Sequence, residues 1–205
     1  MSNWVVSPDK YLTSDEVKQL RRTCLDAATI AKSKGNQAPV RDAMIIELAL
    51  GTGLRVSELS NLMIEHLHLQ RGQNSLLVKS GKNGRDRVVA FSGALKTHIL
   101  NYLEYRTSQS PNLFPSERGE KMTPSAIQKV FKRSAERAGL LPRYSIHSLR
   151  HTYATVLYKA SGYNLRLVQQ QLGHSSPNTT AVYASVVNAD LEEAVEQMAQ
   201  HQMGS

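Results

Sequence analysis

The sequence predicts a mainly α-helical domain that carries a small antiparallel β-sheet, an α+β fold. Apolar residues recur at helical spacing along most of the chain, and N-cap residues precede several of these runs. In addition, two Val- and Leu-rich stretches flank a turn that contains glycine. The chain has 205 residues, of which 40% are hydrophobic, so it is long enough to bury the core of one domain.

The first predicted element is a helix that begins after Thr13. Threonine at the N-cap and Glu16 three residues later form the pattern of a capping box. Leu20 and Cys24 then follow at helical spacing. We expect this helix to end near Gly35, because glycine commonly terminates helices.

The next two elements are also predicted to be helical. The second helix should start after Pro39, turn Ile46 inward and stop at residues 51–53, where two glycines permit a tight bend. Arg55 then opens a short helix over residues 56–62.

A β-hairpin is predicted in the middle of the chain. Residues 75–79 and 87–91 are rich in Val and Leu, and residues 80–86 between them contain two glycines and an asparagine. Residues 66–70 are a candidate third strand. Four basic residues concentrate positive charge in or beside the turn: Lys79, Lys82, Arg85 and Arg87.

Every later segment predicts helix, apart from the loop-like stretch 108–122. Thr123 and Pro124 are a start signal for a helix that ends at Gly139. The apolar spacing predicts further helices over residues 148–160, 165–172, 179–185 and 190–199.

The charge balance favours a polyanionic partner. Lys and Arg number 25 against 17 Asp and Glu, a formal charge of +8, which is typical of chains that bind nucleic acid. The single cysteine, Cys24, cannot form an internal disulfide, which fits a reducing compartment. The apolar run 43–54 is interrupted by Glu47 and two glycines, so we expect a cytoplasmic protein with no membrane partner.

Four short stretches combine residue types that act on phosphate esters. They are GTGLRVSEL at residues 51–59, the basic turn with Lys82, HSLRH at residues 147–151, and LGH at residues 172–174 with Tyr183 nine residues after the His. In this order and at these separations they resemble the tyrosine recombinase family, which includes phage integrases and Xer-type recombinases. The sequence between these stretches, such as LFPS at residues 113–116, also resembles that of the family.

The resemblance implies a domain organisation. Residues 11–187 correspond to a tyrosine recombinase catalytic domain. Residues 1–10 would then be an N-terminal extension or linker. Residues 188–205 would be a C-terminal helix or tail that packs within its own chain or on another protomer.

The resemblance also implies a set of site residues. Glu58 matches an acidic position that supports the first arginine of the family. The positions that match the family's catalytic set are Arg55, Lys82, His147, Arg150, His174 and the nucleophile Tyr183.

The chemistry explains why these residue types are needed. The negative oxygens of a phosphodiester repel a nucleophile. Two arginines can neutralise these oxygens, because each guanidinium is permanently charged and presents paired N–H donors. A tyrosine has a pKa of about 10, so a base such as His147 must accept its proton at neutral pH. Lys82 is suited to act as the general acid that protonates the departing 5′ oxygen. His174 is suited to donate a hydrogen bond to a phosphate oxygen. The 3′-phosphotyrosine conserves bond energy, so rejoining needs neither ATP nor metal, and we expect no cofactor.

Two features near the site leave alternatives open. Lys79 lies three residues before Lys82 and competes with it as the general acid. The family usually has a proline near the end of its second strand, where this chain has Ala90. His147 and His151 have the spacing of a zinc pair on a helix, but no Glu follows the first His and no third ligand is evident. We expect the remaining basic residues to contact DNA: Lys79, Arg85, Arg87 and His151.

The function that the resemblance implies is site-specific recombination of double-stranded DNA, with self-association into a tetramer on DNA and accessory proteins as further partners. Relaxation of DNA in the manner of a type IB topoisomerase uses a similar set of residues. A third possible function is that of a non-catalytic DNA-binding regulator with the same fold. Covalent trapping by Tyr183 separates the enzymes from the regulator.

Overall fold

The computed structural model describes residues 10–79 and 86–173. Within them it has seven α-helices and three short strands. The helices are α1 (Ser14–Ser33), α2 (Gln37–Thr52), α3 (Val56–Ser60), α4 (Gly93–Tyr105), α5 (Pro124–Arg137), α6 (Ile146–Ala160) and α7 (Leu165–Leu172). This architecture confirms the predicted mainly helical fold with a small sheet.

The sheet is antiparallel, with its strands in chain order. The strands are β1 (Leu67–His68), β2 (Ser75–Val78) and β3 (Arg87–Ala90). Leu76 pairs with Leu67 on one side and with Val89 on the other. The predicted hairpin and candidate third strand are therefore present, although β1 has only two residues. Residues 80–85 of the predicted turn lie outside the described residues.

The core lies between α2 and the elements around it. α2 contacts α1, α4, α5 and α6, which explains why nearly all of its faces are apolar. Fully buried side chains from several elements meet there, among them Leu20, Ile45, Ile46, Phe114 and Phe131. α2 thus lies at the centre of the described helices, with α1, α4, α5 and α6 packed around it.

Local capping determines where the helices begin. The capping box of α1 is present as predicted, with Thr13 Oγ1 accepting from the Glu16 amide at 3.2 Å. α2 begins at Gln37, three residues earlier than predicted, because Asn36 Oδ1 accepts from the Ala38 amide at 3.1 Å. Pro39 therefore lies within the first turn of α2, where a missing N–H costs no helical hydrogen bond.

The start of α6 also differs from the prediction. Ser148 Oγ accepts from the Ser145 amide at 3.2 Å, and the helix begins at Ile146 rather than at Ser148. His147 and Arg150 consequently both belong to the start of α6, one turn apart.

The loop between α4 and α5 is fixed at several points. Tyr102 donates to the Leu113 carbonyl at 2.9 Å, and Asn112 pairs with Met63 in an isolated bridge. Phe114 is buried in the core. The loop-like stretch 108–122 is thus anchored to the domain.

Several predictions fall outside residues 10–79 and 86–173: the N-terminal extension before Lys10, the helices at 179–185 and 190–199, the domain boundary at residue 187 and the tail over residues 188–205. Within those two ranges, no helix has the length and apolar character that crossing a membrane requires.

Candidate active site

Arg150 is the most buried of the proposed catalytic residues that the structure describes. It lies on α6 and only 7% of it is exposed. Its Nη1 donates to the Gly53 carbonyl at 2.6 Å, and its Nη2 donates to the Leu172 carbonyl at 2.9 Å. The guanidinium therefore joins the end of α2 to the end of α7.

Gly53 makes this arrangement possible. Its φ is +64°, a left-handed conformation that ends α2 and that glycine adopts without strain. A Cβ at this position would lie 2.8 Å from Leu172 Cδ2 and would also collide with the ring of Tyr153. Only glycine allows α2 to end in close contact with α6 and α7.

Arg55 occupies the N-cap position of α3, two residues after Gly53. Its backbone N–H donates to Glu58 Oε2 at 2.7 Å, and its Nη1 donates to Glu58 Oε1 at 3.0 Å. The side chain is 41% exposed, so solvent, and equally a ligand, reaches it. Glu58 thus contacts both the backbone and the side chain of Arg55.

Glu58 is held by a second arginine as well. Arg87 of β3 donates from Nη1 and Nη2 to the two carboxylate oxygens, at 2.8 and 2.9 Å. Burial by itself raises the pKa of the Glu58 carboxyl. The hydrogen bonds from Arg87 and from the Arg55 backbone, together with the charges of both arginines, outweigh it, so the pKa lies below its ordinary value. Glu58 is therefore a stable anion between two cations.

The first turns of α6 add two histidines. His147 is exposed, whereas the Nδ1 of His151 is buried with no hydrogen-bond partner among the described atoms. Burial lowers the pKa of His151, and the charges of Arg150, His147 and Lys10 lower it further. His151 therefore favours its neutral form more strongly than an exposed histidine does.

The basic residues of the hairpin point to different partners. Lys79 pairs with Asp86 at 2.9 Å, and both side chains are largely exposed. The Arg87 side chain is only 15% exposed, because its guanidinium lies on Glu58 and on the Gln171 carbonyl at 3.1 Å. From the sequence we expected both residues to contact DNA. In the structure Lys79 is exposed and paired with Asp86, whereas Arg87 is largely buried against Glu58 and the end of α7.

Four of the expected site residues lie outside the ranges that the structure describes: Lys82, Arg85, His174 and Tyr183. The residue before His174 is described. Gly173 caps α7 with φ at +65°, and its N–H donates to the Gln169 carbonyl at 2.8 Å.

Sequence reasoning missed the part that α7 plays in this site. Gln171 accepts from Arg87 through its carbonyl, and its side-chain Oε1 accepts from the Ala90 amide at 3.2 Å. A carbonyl acceptor is present at every residue, so no residue-type signal could identify it. Gln171 is the last of three consecutive glutamines, so its residue type did not distinguish it from Gln169 and Gln170 either.

The described part of the site contains several hydrogen-bond donors that are suited to binding an anion. Arg55 and His147 are accessible, and Arg150 and Arg87 add positive charge behind them. Among the described residues, no three His, Cys, Asp or Glu side chains converge as metal ligands. The group best matched by this set of donors is a phosphate.

Comparison with known proteins extends this picture. The model of the Phage integrase family matches residues 10–189. The chain is 40% identical over 190 residues to a tyrosine recombinase XerA of Pyrococcus furiosus, a match that covers 91% of this chain and 61% of that protein.

Solved structures have the same fold. A crystal structure of XerA recombinase has a TM-score of 0.73 at 30% identity, covering 92% of this chain and 62% of that one. A XerH site-specific recombinase bound to a palindromic difH substrate, in a post-cleavage complex, has a TM-score of 0.76 at 27% identity, covering 90% and 52%. The present chain thus spans about three fifths of the length of the curated relatives it matches.

Proposed function

Because this chain belongs to the phage integrase family of tyrosine recombinases, we propose that it is the catalytic domain of a site-specific DNA recombinase. The domain cleaves one strand of double-stranded DNA by attack of Tyr183 on a phosphodiester and rejoins it to a new 5′ end. Residues 11–187 form this catalytic domain, and residues 188–205 are a tail that contacts either its own domain or a neighbouring protomer.

The observation that carries the proposal is the pair of hydrogen bonds made by Arg150. They join the carbonyl of Gly53, two residues before Arg55, to the carbonyl of Leu172, two residues before His174. Three of the sequence stretches that resemble the family's catalytic motifs therefore meet at one buried guanidinium. Such convergence is what a single scissile phosphate requires of residues that are far apart in the chain.

The chemical roles follow from the groups. Arg55 and Arg150 neutralise the non-bridging oxygens of the phosphate as charge builds in the transition state. His147 accepts the phenolic proton of Tyr183, and Lys82 protonates the departing 5′ oxygen. His174 donates a hydrogen bond to a phosphate oxygen. The bond that forms joins Tyr183 Oη to phosphorus, and the reverse attack by a 5′ hydroxyl releases the tyrosine.

Double-stranded DNA is the substrate, and Lys79, Arg85 and His151 contribute contacts to it. The formal charge of +8 gives binding a salt-dependent electrostatic component. Exchange between two duplexes requires four active sites, so the working assembly is a tetramer on DNA, with accessory proteins as further partners. The reaction takes place in the cytoplasm, which fits the single buried Cys24.

Covalent trapping tests the proposal. The chain is incubated with a pool of duplexes of randomised sequence, each nicked close to the 3′ side of the position to be cleaved, so that the short fragment diffuses away and rejoining is prevented. DNA that stays attached to protein under denaturing conditions is recovered and sequenced. We expect the wild type to enrich a defined sequence, referred to below as the selected duplex.

The matched variants are Tyr183→Phe and Tyr163→Phe. Tyr163 is 45% exposed at the start of the α6–α7 connection and serves as the control for loss of a tyrosine hydroxyl. Tyr183→Phe should bind the selected duplex without forming the adduct, and Tyr163→Phe should form it normally. A wild-type chain that binds DNA but forms no adduct overturns the proposal in favour of a DNA-binding regulator. Adducts that relax supercoiled DNA without exchanging strands between two labelled duplexes would instead identify a topoisomerase.

A further inference from the structure

Arg87 is the best-connected basic side chain in the described hairpin. Its two terminal nitrogens bond both oxygens of Glu58, and its Nε donates to the Gln171 carbonyl at 3.1 Å. All three nitrogens of the guanidinium thus have protein partners. Glu58 in turn accepts two further bonds from Arg55.

The end of α7 is shaped to receive Arg87. A Cβ on Gly173 would lie 2.7 Å from Arg87 Cδ and 2.8 Å from its Nε, so the arginine packs directly on the glycine backbone. Gln171 Oε1 fixes the same helix end to the neighbouring strand through the Ala90 amide. Two contacts therefore hold α7 against β3 at the point where the chain continues towards His174.

These contacts form a closed ring. Arg150 bonds the carbonyls of Gly53 and Leu172, and Arg87 bonds Glu58 and the carbonyl that precedes Leu172. The ring consists of hydrogen bonds and two short stretches of chain, from Gly53 to Arg55 and from Gln171 to Leu172. In order, its members are Arg150, Gly53, Arg55, Glu58, Arg87, Gln171 and Leu172, and Leu172 bonds Arg150 again. Both proposed catalytic arginines belong to it.

We propose that Arg87 is a positioning residue: it joins Glu58 to the end of α7 and so sets the separation and orientation of Arg55 and Arg150, rather than contacting a DNA phosphate. This inference rests on the proposed function, since it concerns the same reaction. It replaces the sequence-based expectation that Arg87 is one of the DNA contacts.

The chemistry of the guanidinium explains why arginine is needed here. Its planar fork matches both oxygens of a carboxylate while Nε remains free to bond a third acceptor. A lysine ammonium is a point donor on a flexible stem and cannot hold that geometry. A DNA phosphate would also have to displace Glu58, which lies in bidentate contact with a side chain that is only 15% exposed.

Two substitutions of Arg87 separate positioning from phosphate contact. For Arg87→Lys, positioning predicts that the rate of adduct formation at saturating selected duplex falls about 10²-fold, because small misplacements are costly in catalysis. A phosphate contact predicts a rate near that of the wild type, because lysine keeps the charge. For Arg87→Gln, a phosphate contact predicts that the slope of log affinity against log salt falls by about one. Positioning predicts an unchanged slope.

The matched controls are Arg22→Lys and Arg22→Gln on α1, where the side chain is 86% exposed. Both should leave the rate of adduct formation and the salt slope as in the wild type. An Arg87→Lys chain that cleaves at the normal rate, or an Arg87→Gln chain that loses one unit of salt slope, overturns the inference while the proposed function stands. Absence of an adduct from the wild type instead overturns the proposed function.

A pH profile distinguishes positioning from a general loss of stability. The charged groups that face Glu58 are Arg55 and Arg87, and Arg87→Gln removes a hydrogen bond that keeps the pKa of Glu58 low. The rate of adduct formation should then decline on the acid side at a higher pH than in the wild type. Adding Glu58→Gln to Arg87→Gln should remove this shift of the acid limb. If the acid limb does not move, the coupling through Glu58 is wrong.

Folding of the variants is checked first by urea unfolding. Removal of Arg87 leaves Glu58 without one of its partners, which can destabilise the chain. If Arg87→Gln does not unfold cooperatively, the neutral pair Glu58→Gln with Arg87→Gln carries the test. A rate of adduct formation equal to that of the wild type in this folded double variant also overturns the inference.

Discussion

Arg150 donates a hydrogen bond of 2.6 Å to the carbonyl oxygen of Gly53, a residue 97 positions earlier in the chain. The carbonyl points at the guanidinium because Gly53 is left-handed and packs without a side chain against Leu172. The geometry of an arginine proposed to bind phosphate is therefore set by a backbone conformation at the end of another helix.

The first prediction concerns Gly53→Ala. The left-handed conformation costs alanine roughly 1–2 kcal/mol, and the collision with Leu172 and Tyr153 adds about 1–3 kcal/mol. The control is Gly72→Ala, where φ is +80° and nothing lies within 4 Å of the added Cβ. Urea unfolding should show a loss of about 2–5 kcal/mol for Gly53→Ala and only about 1–2 kcal/mol for Gly72→Ala. Equal losses would mean that the close packing has no energetic effect.

A second prediction is that Arg150→Lys abolishes most of the activity. Lysine retains the charge but cannot bond the Gly53 and Leu172 carbonyls at the same time. The rate of adduct formation on the selected duplex should fall about 10²- to 10³-fold, the loss typical of removing one transition-state donor. Arg22→Lys is the control. A normal rate with lysine at position 150 would show that only the charge matters.

The third prediction is a dependence of stability on pH through His151. Its folded-state pKa lies below the unfolded value of 6.5, so its contribution to stability is complete above that value and is lost as the pH falls towards the folded pKa. His151→Gln removes this contribution. Between about pH 7 and about pH 5, its free energy of unfolding should therefore decline less steeply than that of the wild type. A decline as steep as that of the wild type would contradict this role of His151.

The fourth prediction identifies the general acid. Lys82→Ala should lower the rate of adduct formation by about 10²- to 10⁴-fold on ordinary DNA. A selected duplex with sulfur in place of the bridging 5′ oxygen has a leaving group that needs no proton, and it should restore the rate. Lys79, which is paired with Asp86, should show no such rescue when changed to alanine. Rescue of Lys79→Ala instead would reassign the role.

Metal removal provides the fifth prediction. The proposed groups supply all the charge that the phosphate needs, so adduct formation in excess EDTA should proceed at the rate measured without it. A nuclease known to need magnesium, assayed in the same buffer, confirms that the chelator is effective. Loss of the adduct on chelation, and its return with magnesium, would contradict the proposed chemistry.

The sequence predicted those features that depend on neighbouring residues. The capping box of Thr13 and Glu16, the β2–β3 pairing and the contact of Arg55 with Glu58 are all local, and each is present. The start of α2 was misplaced because two helix-start signals, Asn36 and Pro39, lie close together and the cap prevails. Local interactions were thus sufficient to predict most helices and strands, and the contact between Arg55 and Glu58 in the site.

The long-range contacts could not be predicted in the same way. Arg87 follows a basic turn in the sequence, but its side chain points to Glu58 and to the end of α7, 84 residues later. The acceptors of Arg150 are backbone carbonyls, which carry no residue-type signal. Only the packing of α2, α6 and α7 around Gly53 defines where these carbonyls lie.

The hydrogen bond between the Ala90 amide and the Gln171 side chain also bears on how sequences of this family can diverge. A proline, which the family usually has near the end of this strand of the hairpin, here β3, has no N–H and could not serve as the donor. A chain with proline there has no reason to keep glutamine at the facing helical position, whereas a chain with alanine gains by keeping it. The two positions should therefore covary among relatives, although they are 81 residues apart.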